Sequence, residues 1–147
     1  MSFQFRLESL LKYRRHQLDQ CRQLMADVLR DQETCTASLQ DLDDDRTETL
    51  EQMRTASLSG SINVRKLASI RYDVAQIDEH KLRLRADHSR YEKQLELCRQ
   101  AVQQADAAVK SLERLRDKQL QQHDHKEARK TEISLQDAWA SVNLRAT

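Results

Sequence analysis

The sequence predicts an all-α protein in which two long helices form an antiparallel coiled coil, with the second helix overhanging the first. Three observations predict it. There is one Gly and no Pro in 147 residues, so a fold with many short elements and tight turns is hard to build. Charged residues make up 33% and aromatic residues 4%, which suits narrow apolar stripes better than a thick core. The apolar residues recur at a sustained heptad spacing, which also sets this charged chain apart from a disordered one.

The first helix is expected over about residues 3–56. Its seam runs Leu7, Leu11, Arg14, Leu18, Cys21, Met25, Val28, Gln32, Cys35, Leu39, Leu42, Arg46, Thr49 and Met53. Steps of four and three alternate, which gives the 3.5-residue period of a left-handed supercoil. The period breaks at Ser57-Leu58-Ser59-Gly60-Ser61, so the turn is expected at 57–61. Gly60 suits the left-handed conformation that ends a helix, and Ser61 or Asn63 can cap the next one.

The second helix is expected over about residues 62–143, within a single domain spanning 1–147. Its seam runs from Leu67 through Ile70, Val74, Ile77, Lys81, Leu84, His88, Tyr91, Leu95, Cys98, Val102, Ala105 and Val109 to Leu112. Folding at Gly60 sets residue j roughly opposite residue 120 minus j, so Leu112 falls beside Leu7 or Glu8, where the first helix runs out. The apolar stripe therefore stops where its partner stops, and the last ~25–30 residues, at ~1.5 Å each, are expected to project beyond the first helix. The same register sets Cys21 near Cys98, Val28 near Tyr91, Leu42 near Ile77 and Gln32 near His88.

Charge is uneven although the formal net charge is only +1. Residues 27–51 carry nine acids against Arg30 and Arg46, whereas residues 110–130 carry seven Lys or Arg against four acids. A coiled coil with oppositely charged ends can dock a different partner at each; solvated faces are the plainer reading. The apolar runs are too short for a transmembrane helix, and the N-terminus lacks the apolar core of a secretory signal. Three Cys is an odd number without framework spacing and reads as reduced thiols in a cytosolic protein.

Chemistry that would mark an enzyme is missing. One Gly excludes both phosphate-binding glycine motifs. His123 and His125 point in different directions on a helix and make poor joint metal ligands. A two-helix coil offers no pocket to tune a catalytic carboxylate. Neither cofactor nor small-molecule substrate is expected. Aromatic residues do not interleave with basic clusters, so no nucleic acid is expected either.

The segment Phe3-Gln4-Phe5-Arg6-Leu7-Glu8-Ser9-Leu10-Leu11-Lys12-Tyr13-Arg14 resembles the opening of the flagellar FliJ family. Chain length, the central Gly turn and the two heptad helices are similar too, as is the basic stretch Leu112-Glu113-Arg114-Leu115-Arg116. Near the C-terminus, Leu135-Gln136-Asp137 departs from the family's hydrophobic residue and two acids at the position of Gln136, and Trp139 is unusual there. The resemblance implies a non-enzymatic component of the bacterial flagellar type III export apparatus. It further implies a cytoplasmic stalk, peripheral at the inner membrane face of the basal body. Its partners would be the hexameric export ATPase, the cytoplasmic domain of the export gate, and export chaperones.

On that resemblance, Phe3, Phe5, Leu10 and Trp139 are expected as apolar contacts to the ATPase. Arg6, Arg14, Arg15, Arg116, Arg129 and Lys130 would complement acids lining the ring. Leu39, Leu42, Arg46 and Tyr72 are expected to face the export gate. Phe3, Phe5 and Leu10 also read as staples closing the end of the coil. The stalk of a virulence-type injectisome and a self-associating structural coiled coil are the alternatives.

Overall fold

A computed structural model describes residues 2–60 and 63–146. Two helices account for nearly all of them: α1, Glu8–Leu58, and α2, Val64–Arg145, with no strand among the described residues. They pack against each other, and the chain divides into two compact units, one of residues 21–101 and one of residues 1–20 with 102–147.

In the unit of residues 21–101, α1 and α2 run antiparallel on either side of their connection. Gly60 takes φ of 77°, the left-handed conformation open to a residue without Cβ. Asn63 caps α2, its Oδ1 accepting from the backbone N–H of Arg65 at 3.1 Å and of Lys66 at 3.4 Å. This satisfies donors that the first helical turn leaves unpaired. The alternative cap, Ser61, lies outside the described residues.

Val28, Leu95 and Cys98 form the buried cluster of this unit, with Met25 and Tyr91 packed against it. Cys35 is buried and its thiol donates to the carbonyl of Leu84 at 3.2 Å. Nearer the connection, Arg46 Nε pairs with Asp78 at 2.8 Å and Lys81 pairs with Asp43. The residue numbers of both pairs add to 124, against 119 for Cys35 and Leu84, so the contacts bracket the expected 120. The higher sum follows from the connection. Because α1 ends at Leu58 and α2 starts at Val64, its midpoint lies past Gly60. Side chains also lean toward the N-terminus of their own helix.

In the unit of residues 1–20 and 102–147, Phe5, Leu11, Leu18 and Val109 form the buried cluster. Phe3, Leu7, Val102, Ala105 and Leu112 pack against it. Arg15 Nη2 and Glu113 Oε1 bridge the two helices at 3.0 Å.

The first helix starts at Glu8, later than the expected start near residue 3. Residues 2–7 instead form a non-helical strap. Phe3 and Phe5 are two apart, so an extended chain sends both rings to one side, whereas a helix would turn them roughly 200° apart. The cluster takes both rings, and Phe3 reaches His123 with ring centroids 5.6 Å apart. Through the contact of Phe3 with His123 the strap covers α2 beyond Leu112, the expected end of the seam. From residue 128 to residue 146 every residue is exposed, so the overhang is present but shorter than expected.

Candidate interaction surfaces

The fold sorts the expected contact residues cleanly. All ten expected ATPase contacts belong to the unit of residues 1–20 and 102–147, and all four expected gate contacts belong to the unit of residues 21–101.

In the first of these units the strap fixes the surface. Phe5 is buried, so its ring serves the core and holds the strap down. Phe3 is half-buried against the same cluster, while Arg6 and Leu10 are exposed. A shallow groove runs beside the strap, lined by Phe3, Gln4, Phe5, Glu8 and Arg116. Arg14 and Arg15 flank the seam and are half-buried. Arg14 Nη1 donates to Gln17 Oε1 at 3.0 Å, and Gln17 Nε2 donates to the hydroxyl of Tyr13 at 3.0 Å. Arg116 Nε lies 3.8 Å from Asp117. Arg129 is exposed, and Lys130 lies 3.7 Å from Glu127 with most of its side chain in solvent. Trp139 is exposed well beyond the strap.

In the other unit Leu39 and Leu42 are half-buried and Tyr72 is exposed. Leu42 and Ile77 floor a groove whose walls are Gln76, Glu79, His80 and Arg83. Arg46 is held by Asp78 and is not free to reach a partner without breaking that pair. Asp43 has its carboxyl held below the usual carboxylate value. The hydrogen bond from Lys81 is the largest cause, and the charges of Lys81, Arg85 and Arg46 add to it.

One surface escaped the heptad reading. Leu135, Trp139 and Val142 follow each other at spacings of four and three and are all exposed. The signal was an apolar repeat off the seam, which a search along the seam alone passes over.

Among the described residues no group of three or more His, Cys, Asp or Glu is placed to hold a metal ion. No helix among them is long and apolar enough to cross a membrane. What both units offer is exposed side chains on paired helices.

No curated protein and no solved structure shows significant similarity to the chain. The family described as flagellar FliJ protein matches residues 3–143, which is nearly the whole chain. That match and the two-helix fold together make this chain a member of the FliJ family, a component of the flagellar protein export apparatus.

Proposed function

We propose that this chain is a coiled-coil stalk of the export apparatus. The unit of residues 1–20 and 102–147 binds the hexameric export ATPase. The unit of residues 21–101 meets the cytoplasmic domain of the export gate. Export chaperones are further partners, and the stalk works in the cytoplasm at the inner membrane face of the basal body. Neither a cofactor nor a catalytic residue is needed for this role.

The observation that carries the reading is that exposed apolar residues and an excess of cations share one unit, which holds twelve Lys or Arg against nine acids where the other holds thirteen against fifteen. Leu10 and Trp139 offer apolar contact, and Phe3 adds the exposed part of its ring. Arg6, Arg129 and Lys130 offer charge at the surface of the same unit. Arg14, Arg15 and Arg116 join them by exchanging their weak surface pairings for acids on the ring, since such pairings contribute at most about 1 kcal/mol each. Phe5 contributes from beneath by anchoring the strap. For the gate, the groove over Leu42 and Ile77 with exposed Tyr72 nearby in sequence is the surface we assign, with Leu39 and Arg46 supporting it.

The test is a pull-down and ATPase assay with the flagellar export ATPase of the same organism. A complex with raised ATP hydrolysis is expected, and both should be lost on deleting residues 1–14. A well-folded chain that neither binds the flagellar ATPase nor raises its activity overturns the reading. Binding only to an injectisome ATPase would move the same stalk to that system.

A further inference from the structure

The exposed end of α2 carries a second apolar stripe that the coiled coil does not use. Leu135, Trp139 and Val142 are 66%, 71% and 63% exposed. These are high values for large apolar side chains on one helical face. At about 100° per residue, Leu135 sits roughly 140° around the helix from the seam residue Leu112. The stripe is thus not a frayed continuation of the seam but a separate face. Ala138 and Ala146 sit beside it, and small residues let another helix approach closely.

From the pattern of this stripe we infer that it binds the same stripe of a second copy of this chain, with the two helices antiparallel. The charges select both the occupant and the direction. Residues 126–146 hold four cations and three acids, so two copies meet with little net repulsion. Glu132 lies toward one end of the stripe and Arg145 at the other. A parallel pair would set Glu132 on Glu132 and Arg145 on Arg145. An antiparallel pair sets Trp139 of each copy on Leu135 of the other. It lays Glu132 along Val142 of the other copy, with Arg145 one turn away. Large residues then meet large ones in two equivalent layers, and opposite charges meet at both ends. The contact covers only about five helical turns, so it is a weak association that a tighter partner can displace.

The chain's single Trp reports on the contact directly. Analytical ultracentrifugation of the full chain over a range of concentrations, with no ATPase present, should show a rise from one chain to two. The emission of Trp139 should shift to shorter wavelength in step, as the indole leaves water. Trp139→Ala should weaken association by ~10-fold or more, as expected for a central aromatic anchor. Glu132→Arg should weaken it, and the double exchange Glu132→Arg with Arg145→Glu should restore it. A chain that stays single at all concentrations overturns the inference. So does a dimer whose Trp139 emission does not move, which would use another surface. Failure of the double exchange to restore the dimer overturns the antiparallel pairing. None of these outcomes depends on ATPase binding, so they stand apart from the stalk reading.

Discussion

Asp78 accepts a hydrogen bond from Nε of Arg46 at 2.8 Å across the two helices, and Asp43 pairs with Lys81 in the same register. The two pairs run in opposite senses. In one the cation is on α1, and in the other it is on α2. Sliding the helices past one another by a turn would break both at once. In this stretch the seam itself carries Arg46 and Thr49 on α1, so the flanking charges supply register information that apolar packing there supplies only in part.

The pairing of Asp43 makes stability depend on pH with a definite sign. Its carboxyl is held below the usual Asp value by Lys81. A group depressed on folding contributes stability above its unfolded value and loses that contribution as pH falls to its folded value. Asp43→Asn should therefore lower the melting temperature at neutral pH by a small amount, since the Asp43 carboxylate is itself open to solvent. The two proteins should converge below the usual carboxylate range. A gap that persists in strong acid would show that Asp43 acts through something other than its charge.

The packing around Cys98 gives a test of register. Met25 packs against the cluster that Cys98 forms with Val28 and Leu95, and Tyr91, the expected neighbour of Val28, packs there too. Met25→Cys in a Cys21→Ala background should form a disulfide with Cys98 under mild oxidation, read by mass spectrometry after digestion. If that link is absent and wild type joins Cys21 to Cys98 instead, the register is the one first expected from Gly60.

Among the described residues Leu11 is the one large side chain with no exposed surface. Leu11→Ala should cost about 2–5 kcal/mol, the range for emptying a packed core site. Denaturant unfolding measures it. Leu10→Ala, one residue away but 38% exposed, should cost far less, and equal losses would contradict the cluster built on Phe5, Leu11, Leu18 and Val109.

The connection between the helices can be probed at both of its ends. Gly60 has φ of 77°, and a Cβ there would meet nothing within 4 Å. The cost of Gly60→Ala is thus conformational alone, about 1–2 kcal/mol. Asn63→Ala removes the cap on Arg65 and Lys66 and should cost about 0.5–2 kcal/mol. Thermal melting followed by circular dichroism would check both, with Asn63→Asp expected to keep most of the stability.

Much of this molecule is legible in the order of its residues. The heptads of Leu7 to Met53 and of Leu67 to Leu112 predict two long helices, because a 3.5-residue apolar period is satisfied by one structure. The lone Gly60 places the reversal between them, since left-handed backbone is cheap only for glycine. The opening segment Phe3 to Arg14 carries the family resemblance that the match over residues 3–143 bears out.

What only tertiary structure decided is finer. Heptad spacing fixes which side of a helix is apolar, but it does not fix how far one helix slides along another. That offset came from the length of the connection and from the Arg46–Asp78 and Asp43–Lys81 pairs. Helix propensity favours a helix from residue 3. The strap forms instead with Phe5 buried among Leu11, Leu18 and Val109 and with Phe3 packed against the same cluster. The sequence by itself determined two paired helices and where they reverse, because local period and glycine chemistry act over a few residues. The register, the strap and the exposure of Leu135, Trp139 and Val142 were decided by contacts between residues far apart in the chain, which no local pattern encodes.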